Sequence, residues 1–134
     1  MWDQQQADLN RYSELRWQLF GDVMATLHVI DREASLCETR ATTNRRWDAK
    51  TYLDGVDGLQ KLAGRTRLVD ASLSDELLDF LDQARDCVEE WMLPGETSSR
   101  SWEMPLSARV ADIGARLAVQ LGMPGSSTQR KLSS

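Results

Sequence analysis

The residues in this chain that are most able to bind a ligand or take part in a reaction are the carboxylates between Ser74 and Met92. On a helical wheel of about 100° per residue, six of these seven carboxylates fall within one arc of roughly 100°. Apolar side chains fill the opposite side of the wheel, so such a helix buries one face and presents the other to water or to a cationic partner. The acidic arc consists of Asp75, Asp79, Asp82, Asp86, Glu89 and Glu90.

Rows of carboxylates on helices can also hold metal ions, but this row lacks the usual partners. Di-metal bundles use Glu-x-x-His motifs that project into the core. The only histidine is His28, and no glutamate precedes it at that spacing. Catalysis through His28 would need a nucleophile or a carboxylate that converges on it, and no pattern indicates one. The sequence therefore predicts no metal, no cofactor and no catalytic residue, and we expect a protein that is not an enzyme.

The two cysteines, Cys37 and Cys87, are too far apart in sequence for the close spacing of a zinc site. Both fall on or beside apolar helix faces, where a free cysteine behaves as a small hydrophobe. We interpret them as core thiols, with a disulfide or a reactive thiol as the alternatives.

The chain has the size of one domain, with 134 residues and a mass of 15.2 kDa. No apolar run approaches the ~18 residues that span a bilayer. The residues from Met1 to Gln6 lack the basic start and the apolar stretch of a signal peptide. These features predict a cytoplasmic protein with no membrane partner.

The formal net charge of −5 conceals a strong segregation along the chain. Residues 40–69 carry seven basic and three acidic side chains, whereas residues 70–96 carry one basic and nine acidic side chains. The simplest interpretation is that oppositely charged segments lie side by side in an antiparallel bundle. A basic face for nucleic acid and an acidic face for a cationic partner are the alternatives.

Helical periodicity dominates the sequence, and strand signals are nearly absent. The first helix is predicted from Asp3 or Ala7 to Cys37. Gly21 followed by Asp22 is also the pattern of a C-cap glycine and a new N-cap, but the apolar stripe keeps its phase across Gly21, which favours one continuous helix. No other segment is long enough to flank a helix of that length. We expect part of it to overhang the bundle or to meet a second subunit.

Capping residues set the other predicted boundaries. A second helix is expected over residues 45–63, with Gly64 in the C′ position, and a third helix begins with Ser74 as its N-cap and ends at Pro94-Gly95. A fourth runs from Pro105 to Leu121 and is capped by Gly122.

These elements predict an all-α fold, an up-and-down four-helix bundle with a long N-terminal helix. Residues 1–122 form a single helical-bundle domain in this interpretation. Residues 123–134 are rich in Ser and other polar side chains and are predicted to be a disordered C-terminal tail.

Arginine and tryptophan residues supply the remaining candidates for binding. Arg16 falls near the centre of the first helix's apolar stripe, so it must pair, extend its charge to the surface or lie beyond the core. Arginine beside an aromatic residue such as Trp17 is a common composition in protein interfaces. Trp47 and Trp102 have no burial that the pattern explains, so they either cover the ends of the bundle or anchor a partner.

The best candidate for nucleic-acid contact is Arg45-Arg46-Trp47, because basic charge beside an aromatic residue suits phosphate contact and base stacking. The acidic balance of the whole chain argues against it.

The sequence thus favours a non-catalytic helical module for protein–protein interaction, acting as an adaptor, an inhibitor or an assembly subunit. Its partner is another protein or a second copy in a homodimer. The alternative is a protein that binds nucleic acid through residues 40–67 or mimics it through the acidic face of residues 75–90. The predicted partner-binding residues are Arg16, Trp17, Arg45, Arg46, Trp47, Asp75, Asp79, Asp82, Asp86 and Trp102.

Overall fold

The protein is a bundle of four α-helices in the computed structural model, which describes the backbone of residues 2–92 and 102–122 and the side chains of residues 13–92 and 102–122. Within these ranges no residue lies in a β-strand, so the predicted all-α four-helix bundle is confirmed. The predicted C-terminal tail and the Pro94-Gly95 stop lie outside the described residues. The helices are α1 (Trp2–Thr42), α2 (Lys50–Thr66), α3 (Ala71–Met92) and α4 (Leu106–Gln120).

The helices alternate in direction around the bundle. Helix α1 contacts the other three, α3 contacts α2 and α4, and the described parts of α2 and α4 have no close backbone approach. Arg65 near the end of α2 lies 3.8 Å from Asp22 of α1, and Arg16 of α1 contacts Leu121 at the end of α4. Both α2 and α4 therefore run antiparallel to α1.

Each helix contributes one apolar stripe to a shared core, as amphipathic periodicity requires. Burial of a leucine, isoleucine or phenylalanine side chain stabilises the fold by about 1.5–3 kcal/mol. The fully buried centre therefore holds the bundle together. Its large side chains include Val23, Leu27, Ile30, Leu59, Leu77, Phe80, Ile113 and Leu117.

Helix α1 continues without a break through Gly21, as the phase of its apolar stripe predicts. Its 41 residues span about 60 Å at ~1.5 Å per residue, whereas the 22 residues of α3 span about 33 Å. The described ends of α2 and α4 lie level with Asp22 and Arg16. The backbone of α1 that precedes Ser13 therefore extends past these ends.

The predicted boundaries of α2 are wrong at both ends. Helix α1 runs on to Thr42, and Asn44 then adopts a left-handed conformation with φ of 56°, which asparagine tolerates better than most residues. Helix α2 begins only at Lys50 and includes Gly64 in its interior, ending at Thr66. The Gly64 signal misleads because a glycine in a helix interior and a glycine in the C′ position look the same in sequence.

The predicted N-cap of α3 is also wrong. The carboxylate of Asp70 accepts hydrogen bonds from the backbone N–H of Ser72 at 2.9 Å and of Leu73 at 3.4 Å, so Asp70 caps the helix. Ser74 is buried, and its hydroxyl donates to the carbonyl of Ala63 in α2 at 2.8 Å. Aspartate and serine are both good N-cap residues. Because the Ser74 hydroxyl bonds to α2, Asp70 is the residue that caps α3.

Alanine substitutions at two glycines test the observed helix ends. Gly64→Ala should raise the free energy of unfolding by about 0.5–1 kcal/mol, because alanine favours the helix and its Cβ meets no atom within 4 Å. Gly122→Ala should lower it by about 1–2 kcal/mol, because Gly122 has a φ of 66°. Urea unfolding followed by circular dichroism measures both. Destabilisation by Gly64→Ala would show that the helix ends where the sequence predicts.

Candidate functional site

Arg109 of α4 carries a buried charge, and its side chain is 9% exposed. One guanidinium nitrogen, Nη1, donates to Oε1 of Gln83 at 3.0 Å. The other, Nη2, lies 3.0 Å from Oε2 of Glu76 and 3.0 Å from Oδ2 of Asp79. A guanidinium tolerates burial only when it is paired, and here α3 supplies two carboxylates.

This pairing extends into a polar network between α3 and α4. Arg116 places Nη1 3.3 Å from Oε1 of Glu76, at the more exposed edge of the contact. Gln83 uses its amide N–H to donate to the carbonyl of Met104 at 2.6 Å. The network therefore holds both α4 and the segment that precedes it against α3.

Trp102 in that segment contacts two residues of α3 and α4. Its indole N–H donates to Oδ2 of Asp86 at 3.0 Å. The guanidinium carbon of Arg109 lies 5.9 Å from the ring centroid, within the range of a cation–π contact. These contacts fix the position of an aromatic side chain that is only partly buried.

Trp102 forms part of the wall of a groove of about 500 Å³ between α1, α3 and the start of α4. The apolar part of the lining comes from Ala34, Cys87, Pro105 and Leu106. Among the described residues, no lysine, arginine or histidine lines the groove. Four carboxylates do: Asp31 and Glu38 from α1, and Asp86 and Glu90 from α3.

Three of these carboxylates, those of Asp31, Glu38 and Glu90, form no ion pair with any other described residue. Charges of one sign above an apolar, low-dielectric surface reinforce each other and raise the local concentration of counter-ions. The groove can therefore attract a cation and offer it an apolar surface.

The thiol of Cys87, which lines the groove, has low reactivity. Burial raises the pKa of Cys87, and the nearby carboxylates of Glu38, Glu90 and Asp31 raise it further. Burial also raises the pKa of Cys37, which lies in the core. Both cysteines are free and remain protonated at neutral pH, which makes them weak nucleophiles.

The structure divides the acidic arc of α3 among different environments. Asp75 is exposed, and Asp82 pairs with Arg85 at 3.3 Å on the surface. Asp79 binds the buried Arg109, and Asp86 lines the groove. The expectation of a single solvent-facing row is therefore not met, since α4 covers part of the arc.

Arg16 and Trp17 lie at the other end of α4 from Trp102. Arg16 donates from Nη1 to the carbonyl of Leu121 at 2.9 Å, which satisfies a terminal acceptor of α4 and places positive charge at the negative end of its dipole. Trp17 is 52% exposed. The structure does not bring either residue to the groove.

The basic candidates form a separate surface at the connection between α1 and α2. Arg45 and Arg46 are exposed, and Arg40 donates to the carbonyl of Arg46 at 3.2 Å. Trp47 is only partly exposed, since it packs against the core with its ring 5.8 Å from that of Tyr52. Its indole therefore offers less area for base stacking than the sequence suggests.

Sequence reasoning missed Arg109, Asp31 and Glu38 as members of this site. Asp31 and Glu38 are two helical turns apart and so share a face of α1, a spacing that can be read from the sequence. Arg109 precedes the buried Val110 and interrupts the apolar stripe of α4 in the same way as Arg16 interrupts that of α1. Neither pattern indicates which helix lies opposite.

Comparisons with known proteins give no relative: no protein-family model, curated protein or solved structure matches this chain. In the described part of the chain, no three His, Cys, Asp or Glu side chains are grouped to hold a metal ion. None of the helices described has both the length and the apolar character needed to cross a bilayer. Fold and site thus define an all-α bundle with a groove that is lined by carboxylates and apolar side chains.

Replacing the buried arginine tests the network. Arg109→Met should lower the free energy of unfolding by about 2–3 kcal/mol, less than for a fully buried pair because the side chains of Glu76 and Asp79 are 33% and 36% exposed. Arg116→Met is the matched control and should cost at most about 1 kcal/mol, because that side chain is 52% exposed. Equal losses in urea unfolding would contradict the assignment.

Alkylation of Cys87 tests the electrostatics of the groove. Since burial and, to a smaller extent, nearby carboxylates raise the pKa of this thiol, iodoacetamide should modify it more slowly at pH 7.5 in the folded protein than after unfolding in urea. The double variant Glu38→Gln and Glu90→Gln should lower the pKa and accelerate the reaction in the folded state. Mass spectrometry gives the rates, and an unchanged rate in the variant would show that these carboxylates do not act on the thiol.

Proposed function

We propose that this chain is a non-catalytic helical module for protein–protein interaction and that the acid-lined groove is its docking surface. The observation that carries the proposal is the set of carboxylates of Asp31, Glu38 and Glu90, which form no ion pair with any other described residue and line the groove together with apolar side chains. A partner that presents basic and apolar side chains would match both properties.

Electrostatics supports a partner of this kind. Two unit charges 4 Å apart interact with about 4 kcal/mol at an effective dielectric constant of 20, compared with about 1 kcal/mol in bulk water. A positively charged partner would relieve the repulsion within the groove and be steered towards it. The charge pattern therefore favours selectivity for a basic partner and rapid association with it.

Preorganisation supports the same site. Trp102 is already held by Asp86 and Arg109, and Gln83 fixes the backbone at Met104. A side chain that is ordered before binding loses less conformational entropy when the partner arrives. Tryptophan is also among the residues that most often dominate interface energetics.

Other features support two subsidiary proposals. A second copy of the chain is the alternative partner, because α1 extends past the described ends of its neighbours and Trp17 is half-exposed. A cytoplasmic location is supported by the two free cysteines, since reducing compartments keep thiols unpaired.

Charge reversal in the groove tests the proposed function. The double variant Glu38→Lys and Glu90→Lys should lose a partner protein that the immobilised wild-type chain retains from a lysate of its native host. All four positions in this experiment are exposed, so the fold should persist. The control, Glu14→Lys and Asp54→Lys, changes the net charge equally away from the groove and should retain the partner. Mass spectrometry identifies the retained protein, and circular dichroism confirms helicity.

Two results would contradict this proposal. Equal retention by both variants would remove the groove as the docking surface. Retention that disappears after nuclease treatment, or in the variant Arg45→Ala and Arg46→Ala, would favour nucleic-acid binding through the exposed basic segment. Recovery of an untagged copy of the same chain would point to a homodimer.

A further inference from the structure

We infer that residues 130–132 of this chain bind in its own groove and compete there with the partner. This inference rests on the proposed function, because it gives the same surface an occupant from within the chain. Residues 123–134 lie outside the described structure, and their sequence contains Arg130 and Lys131 but no acidic side chain. Leu132 follows the two basic residues directly. The segment therefore combines the basic and apolar chemistry that suits the groove.

The charges of the groove and of this segment are opposite. Asp31, Glu38 and Glu90 line the groove and form no ion pair with any other described residue. Two cations among these carboxylates would reduce the repulsion between them. Because a short tether gives an effective concentration on the order of millimolar, a weak attraction is enough to keep such a site occupied for much of the time.

The apolar part of the groove suits the residue that follows the two cations. Ala34, Pro105 and Leu106 line the groove beside the carboxylates. The methylene stems of arginine and lysine cover apolar surface while their charges stay in a polar environment, and a leucine side chain can cover more of it.

The segment is long enough to reach the groove from the end of α4. This helix has 15 residues, so Gly122 lies about 24 Å from Leu106, which lines the groove, at ~1.5 Å per residue. The φ of 66° at Gly122 ends the helix there. The eight residues from Gly122 to Arg130 span at most about 26–29 Å when extended. Arg130 can therefore return to the level of the groove.

The segment also begins beside the helix that carries two of the carboxylates. Arg16 of α1 donates to the carbonyl of Leu121, so the end of α4 lies against α1. Asp31 is about 22 Å further along α1 from Arg16, and Glu38 is about 33 Å further, at ~1.5 Å per residue. Asp31 is within the backbone reach of Arg130, and the long side chain of the next residue extends that reach towards Glu38.

Disulfide trapping in the full chain tests the inference. Cys87 lines the groove, and Ser133→Cys adds a second thiol two residues after Lys131. Diamide accepts the two electrons and two protons that the thiols lose when they form a disulfide. In dilute protein the introduced thiol should form an intrachain disulfide with Cys87, which mass spectrometry of the digested protein identifies.

A second position controls for the length of the segment. Ser126→Cys places the thiol only four residues after Gly122, with a reach of at most about 14 Å. This variant should form no disulfide with Cys87, because the groove is further away than that.

Charge variants distinguish binding from chance collision of a tethered thiol. Arg130→Gln with Lys131→Gln, added to Ser133→Cys, should slow formation of the disulfide about tenfold, because the attraction is lost while the length is kept. Lys61→Gln with Arg67→Gln is the matched control. It removes the same charge at exposed positions away from the groove and should leave the rate unchanged.

Competition with the partner gives a second readout. Arg130→Gln with Lys131→Gln in the otherwise unchanged chain should retain the partner protein about threefold more tightly, because the groove is free for a larger fraction of the time. Lys61→Gln with Arg67→Gln should retain it as the wild type does. Retention is compared at several concentrations of the immobilised chain.

The outcomes separate the inference from the proposed function. Disulfide rates that are equal with and without the two basic residues overturn the inference, and so does unchanged retention of the partner when these residues are neutralised. If Glu38→Lys with Glu90→Lys still abolishes capture in that case, the proposed function stands alone. Charge-dependent trapping together with capture that is insensitive to Glu38→Lys and Glu90→Lys overturns the proposed function and the competition, and it leaves the groove as a site for the chain's own segment.

Discussion

A guanidinium group cannot be buried without a counter-charge, and the contact between α3 and α4 depends on how Arg109 satisfies that requirement. Its position on α4 requires Glu76, Asp79 and Gln83 of α3 to lie opposite. This contact fixes the relative position of the two helices more specifically than apolar packing does, because charged hydrogen bonds depend on direction as well as distance. The register of α4 on α3 is thus tied to a polar interaction.

The same network shapes the candidate site without forming most of its lining. Gln83 holds the backbone at Met104, and Arg109 and Asp86 hold Trp102. Trp102 then borders a groove whose other walls are α1, α3 and the start of α4. A buried charge pair is weak evidence for net stability, but it is well suited to positioning an aromatic side chain.

The distribution of charge on α3 follows from its neighbours. Carboxylates that face the basic residues of α4 are paired, whereas those that face α1 across the groove meet Asp31 and Glu38. The acidic helix therefore serves a structural role on one side and leaves concentrated negative charge on the other. The predicted pairing of oppositely charged segments holds between α3 and α4. At the groove, both sides carry carboxylates, and this unbalanced negative charge supports the proposal of a partner.

The sequence by itself determined the helical class and the cap at Gly122, and it favoured the continuity of α1 through Gly21, because hydrophobic periodicity and positive-φ glycine are local properties of a chain. It did not determine where α2 and α3 begin, since several residues near each start can cap a helix, and contacts such as that of Ser74 with Ala63 decide among them. Trp102 and Asp86 were identified as candidates one at a time, but Asp31, Glu38 and Arg109 were not. Only the tertiary structure decided which helix faces lie opposite each other, because a helical wheel defines directions around one axis and contains no information about the neighbouring helix.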